Sequence, residues 1–331
     1  MNVAVRGSGI AGGCCAHLLA MHGFAAALIP AERPPVPALL LSDPALALLR
    51  GVFGRPALFA DKPRIDRRIV AWGGGEAISL PHGAVAVSEA ELTAALYPPP
   101  SIAPRDGADF TIHTAAPFPA PTMRRFGQRS AMAAEVHLLQ DEDHSACWVE
   151  AVETGWLFLI PSGDGSAWLL GIGSAIDTLI DQSRHIAPRI ALTGRLSSAF
   201  ETCPRLLTTL QGPDWLACGT AAIAFDPICG DGTAQSIREA IIASAVIAAI
   251  RDDGDAPALR THYESMLIAS MRRHLQISAQ FYATGGTSDW WREQHDALVE
   301  GYDWCTARLA VLPEPRYQLR DFQLVAREVT V

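Results

Sequence analysis

The chain opens on a glycine pattern that leaves little freedom in how its first segment can fold. In NVAVRGSGIAGGCCAHLLAMHGFAAALIP, a short apolar run at Val3–Val5 is followed by Gly7, Gly9 and Gly12 in the order G-x-G-x-x-G. An apolar stretch of helical character then reaches His22, Gly23 turns the chain, and Ala25–Ile29 reads as a second strand. This is a β-α-β unit of the kind that cradles a dinucleotide. Gly7 permits the tight turn, Gly9 lets backbone approach a pyrophosphate, and Gly12 lets helix and strand pack closely. The helix N-terminus, with Ile10 and Ala11 before Gly12, then faces the phosphate charge.

One element of the pattern is displaced. An acidic residue ordinarily ends the second strand and holds the adenosine ribose hydroxyls, and Pro30 stands there instead. Glu32, with Arg33 beside it, is the nearest substitute.

Composition narrows the function classes. The 331 residues are 49% hydrophobic and 18% charged, enough for a large core and about two domains. A net charge of -9 argues against a nucleic-acid partner, because neutralising phosphates needs clustered positive charge. Basic residues are almost entirely arginine, Lys62 being the one lysine. The apolar run Ala240–Ile250 is shorter than the ~20 residues of a membrane span, and the N-terminal segment lacks a basic stretch ahead of its apolar part. No membrane span and a cytoplasmic location are expected. The seven cysteines include the adjacent pair Cys14 and Cys15 and show neither C-x-x-C nor Cys/His metal spacing, so buried, reduced thiols and no metal site are expected.

A second glycine-rich loop, in AIAFDPICGDGTAQSIREAIIASAVIAAI, precedes another apolar helix far downstream. A nicotinamide dinucleotide has no evident use for it. A flavin has one, since a helix N-terminus beside the isoalloxazine favours the negative charge that develops there on reduction. Asp226, Pro227, Gly230, Gly232, Thr233 and Ala234 supply the turn, with Thr233 or Asp231 expected to cap the helix.

These residues carry a resemblance. GTAAIAFDPICGDGTAQSIREA is similar to the G-D-(x)n-D-P-x-x-G-x-G segment of FAD-dependent monooxygenases of the hydroxybenzoate hydroxylase type and of flavin-dependent halogenases. GWLFLIP, Gly155–Pro161, resembles the W-x-W-x-I-P segment of the halogenase branch, with Phe158 in place of the second tryptophan. The resemblance implies FAD as cofactor, Gly219 and Thr220 at the ribityl chain, and Trp156 and Phe158 lining the face between flavin and substrate. It departs from the family at Thr220, where the family carries aspartate; a hydroxyl can still hydrogen-bond, without charge assistance.

The expected architecture is α/β: an FAD-binding Rossmann-like domain interleaved with an antiparallel-sheet substrate domain, followed by a helical C-terminal segment. The FAD-binding domain is expected over 1–60, 82–116 and 206–255, the substrate domain over 61–81 and 117–205, and the helical segment over 256–331. RRIVAWGGGEAISLPHGAVAVS reads as a hairpin turning at Gly73-Gly74-Gly75, and SEAELTAAL as a helix capped from Ser88. Segments such as SAMAAEVHLL, ACWVEAVE, GWLFLIPS and SAWLLGIGS read as successive strands. For Trp290 and Trp291 packing of the C-terminal helices is the favoured role over capping a site.

Three functions follow from the resemblance. The first is a monooxygenase acting through a flavin hydroperoxide on an indole or phenol, which requires no side-chain nucleophile. Its substrate would be an aromatic small molecule or a protein-borne tryptophan, as in the branch that matures protein-derived quinone cofactors. Electrons would come from NAD(P)H or a separate flavin reductase. The second is a halogenase, which in the family needs a lysine before the W-x-W-x-I-P segment; DKPRIDRRIVAW offers Arg64, Arg67 and Arg68, with Lys62 at its edge. A guanidinium stays protonated and does not replace a tunable amine. The third is a non-catalytic binding or assembly protein with weakened FAD binding. His82 is the polar residue to test first, a solvated loop position being its bland alternative.

Overall fold

The computed structural model describes residues 1–31, 36–96, 107–230 and 232–327, without the side chains of Glu142 and Arg195. Glu32, Arg33 and Asp231 lie outside the described residues. The opening segment folds as β1 (Asn2–Arg6), α1 (Ile10–Met21) and β2 (Ala25–Ile29), with β1 and β2 parallel. A short strand β3 (Leu39–Ser42) leads into α2 (Asp43–Phe53), which Ser42 caps through Ala45 N–H and Gly54 ends in the left-handed region at φ 60°.

The hairpin falls where the glycines place it, between β4 (Arg64–Ala71) and β5 (Ile78–Val87). α3 (Glu89–Leu96) starts on a reciprocal box: Ser88 N–H donates to Glu91 Oε2 at 2.7 Å and Glu91 N–H to Ser88 Oγ at 3.1 Å. β6 (Phe110–His113) returns beside β1, parallel to it. The strand-like middle of the sequence supplies β7 (Met123–Arg125), β8 (Ser130–Leu138), β9 (Ala146–Val152), β10 (Gly155–Gly163) and β11 (Ser166–Gly173). Helix α4 (Ile176–Gln182) follows, then β12 (Ile190–Leu196) and the short strands β13 (Phe200–Glu201), β14 (Arg205–Leu207), β15 (Gln211–Gly212), β16 (Trp215–Ala217) and β17 (Ile223–Ala224). The chain continues in α5 (Gly232–Arg251), α6 (Ala256–Gly285) and α7 (Asp289–Ala310), and the hairpin β18 (Tyr317–Arg320) and β19 (Gln323–Ala326) closes it.

Two sheets organise these elements. A five-stranded sheet runs β15-β16-β6-β1-β2, and a nine-stranded, mostly antiparallel sheet runs β12-β8-β11-β10-β9-β4-β5-β3 with β13 against β8. Strand β10 explains why GWLFLIP is apolar without alternation. Trp156, Phe158 and Ile160 enter the main core, while Leu157 and Leu159 enter a second cluster with Trp148 and α4 on the opposite face.

Helix α5 is apolar all round because it lies inside the molecule. Its length and mean hydropathy of 1.3 would suit a bilayer, but 78% of that window is buried against α1, α2 and α6. Ala240–Ile250 is the apolar part of a helix that begins at Gly232, where Gln235, Ser236, Ile237 and Glu239 are buried as well. None of the seven cysteines, all among the described residues, is in a disulfide, and six are buried.

The C-terminal helices α6 and α7 pack on each other through a tryptophan at their corner. Trp291 fills the space a side chain would take at Gly285 and Gly286, where an added methyl would stand 2.2 and 2.3 Å from its ring. Its indole N–H donates to Val152 O at 2.9 Å, tying the corner to the large sheet. Trp290 meets Trp291 edge-on at 4.8 Å, so this pair packs the helices against the body.

Candidate functional site

The first loop is built so that only glycine fits. Gly7 sits at φ 107° with its N–H donating to Ile29 O at 2.8 Å, and a methyl there would stand 2.4 Å from Thr114 Oγ1. A methyl on Gly12 would stand 2.0 Å from Gly7 O. Thr114, just after β6, closes the loop from below by donating to Arg6 O at 2.9 Å and Gly7 O at 3.2 Å. Sequence reasoning missed Thr114, whose only signal was its place at the end of a strand. Gly9 is the N-cap of α1 and brings no side chain to cap it, Ile10 and Ala11 form the first turn, and no acidic side chain stands there. Such a helix end attracts an anion.

The second segment meets the first. After β16, Gly219 adopts φ 77° so close to α1 that a methyl on it would lie 2.8 Å from Ala11 Cβ. Its N–H points inward and donates to Glu239 Oε2 at 2.6 Å. Burial pushes the Glu239 carboxyl up to about 8, against the hydrogen bonds from Gly219 and Gln235, so it is protonated at neutral pH. Thr220, next along the turn, is exposed.

The third segment differs from its sequence reading in two respects. Helix α5 starts at Gly232, which makes Thr233 its second residue and Ala234 its third, so Thr233 does not cap it. Asp226 also faces inward. Its Oδ1 accepts from Ile228 N–H at 2.9 Å and caps the tight turn Pro227–Cys229, which ends at Gly230 with φ 62°. Its Oδ2 lies 3.0 Å from Arg129 Nε, both side chains wholly buried, and accepts from Tyr282 O–H at 2.9 Å. The Asp226 N–H donates to His274 Nε2 at 2.8 Å. Burial pushes His274 down to about 3, so the ring is neutral and carries its hydrogen on Nδ1. Asp226 therefore holds the loop from within, through partners on β7–β8 and α6 that no local sequence motif marks.

Beside Gly230, the large sheet presents a polar group on an apolar floor. Arg68 of β4 stands opposite Leu80 on β5 and Cys147 on β9. Its guanidinium lies 6.0 Å over the Phe158 ring, and its Nη2 is 3.3 Å from His82 Nε2. His82 lies within strand β5 and is half-buried, a structured position in place of a solvated loop. Burial lowers its pKa, Arg68 adds to that, and Asp43 opposes it, so the imidazole is neutral. Burial also raises the Cys147 thiol, against the pull of Arg68.

Trp156 and Phe158 divide their roles. Trp156 is wholly buried, and its indole N–H donates to Tyr282 O–H at 3.1 Å. It belongs to the support of the Asp226 loop, whereas Phe158 lies under Arg68. Lys62 precedes β4 and pairs with Glu91 of α3, so it contributes nothing to the Arg68 face. Two surface clefts, of about 230 and 340 Å³, open elsewhere, at the start of α6 and between α2, α5 and the C-terminal hairpin.

No family model and no curated protein matches this sequence. Solved structures do match the fold. The flavin-dependent halogenase CmlS superposes with a TM-score of 0.77 at 16% identity, covering 93% of this chain and 71% of that one. The peptidyl tryptophan dihydroxylase QhpG, essential for tryptophylquinone cofactor biogenesis, superposes at 0.72 with 22% identity, covering 99% and 86%. The myxobacterial chondrochloren halogenase CndH, a variant of FAD-dependent halogenases, gives 0.74 at 16% identity, covering 97% and 93%. The chain thus has the α/β fold of these flavoproteins, C-terminal helices included.

Proposed function

We propose that this protein is an FAD-dependent monooxygenase acting on an indole or phenol, with a tryptophan side chain of a partner protein as the favoured substrate. The observation that carries the reading is the abutment of Gly219 on Ala11, which brings the second glycine segment against the first helix N-terminus. A ligand of dinucleotide size that also has a part beyond its phosphates fits such a double cradle. The likeness to QhpG over 99% of this chain supports the choice of substrate.

The residues fit FAD. Gly7, Gly9 and Gly12, with the N–H groups of Ile10 and Ala11, would hold the pyrophosphate. Gly219 and Thr220 would hold the ribityl chain, and Pro227, Gly230 and the start of α5 from Gly232 to Ala234 the isoalloxazine edge. Glu32 and Arg33 remain the proposed adenosine contacts. Reduced and bound, the cofactor supplies the oxygen-activating chemistry, with NAD(P)H or a separate flavin reductase as electron source. The chain's own part is to bind, orient and exclude water. Phe158 and Ile160 offer the apolar floor for that exclusion, and His82, neutral, offers a group able to accept a proton. The placement of Lys62 in an ion pair with Glu91 favours oxygenation over the halogenation that CmlS and CndH perform.

The test supplies reduced FAD, oxygen and tryptophan-containing peptides, indoles or phenols, with and without chloride or bromide, and weighs the products. Oxygen-sized mass gains independent of halide are expected. Halogen-sized gains that vanish in Lys62→Ala would overturn the ranking, and an FAD titration that shifts neither the flavin spectrum nor the melting temperature would remove the flavin reading altogether.

A further inference from the structure

We propose that Arg68 anchors the substrate: its guanidinium takes an oxygen acceptor, a carboxylate or a peptide carbonyl, carried beside the aromatic group. This deepens the reading above and rests on it. The argument begins with charge accounting. Arg64, Arg124, Arg125, Arg129, Arg189 and Arg308 each meet a carboxylate. Arg68, though half-buried, meets none among the described residues. Its Nη2 approaches His82 at 3.3 Å, a ring that burial keeps neutral and that returns no charge. Cys147, opposite on β9, stays a thiol because burial raises it. The Arg68 Nε is buried without a hydrogen-bond partner. A half-desolvated cation with no countercharge beside it is unfavourable by itself and is relieved by an acceptor brought in from outside.

The surroundings say what kind of molecule brings it. The Phe158 ring lies 6.0 Å below the guanidinium, and Leu80, opposite Arg68, is 47% exposed. These are apolar neighbours for an aromatic group. The space beside Nη2 is kept open by Gly230, where an added methyl would stand 3.3 Å from that nitrogen. Because Gly230 belongs to the loop proposed to meet the isoalloxazine, an acceptor on Arg68 would hold the aromatic group on the same side of the sheet as that loop. A planar guanidinium with fixed donors orients its ligand as well as attracting it, which a point-charged lysine does less well.

The experiment measures binding, not turnover, by calorimetry on the full chain with and without FAD. Three probes share an indole: indole-3-propionate carries a carboxylate, indole-3-propionamide a carbonyl, and 3-propylindole neither. At least one acceptor-bearing probe is expected to bind about tenfold more tightly than 3-propylindole. The contrast should be lost in Arg68→Met, kept in part in Arg68→Lys, and unaffected in Lys62→Ala, with melting curves confirming that each variant is folded. Preference for the propionate assigns a free acid, and preference for the amide a peptide carbonyl. Equal affinity for all three probes, no binding of any, or a contrast that survives Arg68→Met overturns the assignment. If FAD fails to bind while the contrast persists, the flavin reading falls and this one stands.

Discussion

The Gly219 N–H donates to Glu239 Oε2 across 2.6 Å, from a turn at the proposed cofactor site to a carboxyl that is only 2% exposed. The folded state holds a proton on Glu239 up to about pH 8, whereas the unfolded chain releases it near the ordinary 4.5. Between those limits the native state binds more protons than the unfolded one, so stability falls as pH rises and levels off above pH 8. Glu239→Gln, able to accept from Gly219 and meet a reoriented Gln235, is expected to gain on the parent as pH rises, by about 4 kcal/mol between pH 4.5 and pH 8. Urea melts at several pH values decide this; equal slopes with pH in both proteins would mean that Glu239 is ionised in the fold.

The Arg129–Asp226 pair should behave as a unit. Asp226→Asn leaves a buried guanidinium uncompensated and is expected to cost about 3–5 kcal/mol, and Arg129→Met a comparable amount. The double variant should cost less than the sum by roughly 1–3 kcal/mol. Additive losses in denaturant melts would show that the two charges do not support each other.

Much of this fold was legible because local chemistry and tertiary structure agree. The β1-α1-β2 unit, the Gly73–Gly75 hairpin and the Ser88 capping box all appear where the residues place them. What was not legible depends on partners distant in the chain. Asp226 read as part of a ligand-facing turn because nothing nearby reveals Arg129, Tyr282 or His274, which reach it from two other elements. Of the two cap candidates, Thr233 lies inside the helix, which begins at Gly232, and Asp231 lies outside the described residues. Arg68 and His82 fall on the two arms of the hairpin that Gly73–Gly75 mark, but the side-chain contact between them depends on a register that the turn alone does not set.

Gly12→Ala tests the cradle. Its methyl would lie 2.0 Å from Gly7 O, a backbone atom held in turn by Thr114. Overpacking of this kind costs typically about 1–3 kcal/mol. We expect a folded protein with a lowered melting temperature and no detectable FAD binding. Undiminished flavin affinity would place the phosphates elsewhere.

Thr220→Asp restores a charge to the exposed turn next to Gly219 without burying it. A charge-assisted hydrogen bond is roughly twice as strong as a neutral one, so tighter FAD binding is expected by flavin fluorescence titration. Weaker binding would assign the threonine to another arrangement of the turn.

The tip of the β4–β5 hairpin rests on α6 at Gly73. A methyl on Gly73 would stand 2.8 Å from Thr284 O, and the Trp72 indole N–H donates to Phe281 O at 3.0 Å, both on the last turns of α6. Trp291 then pins that same corner to Val152. The strands that carry Arg68 and His82 are therefore held against the end of α6, like a bracket fixed at both arms. Removing α6 and α7 would release one arm, so the register of the Arg68 face should loosen even though every residue proposed to hold the cofactor remains.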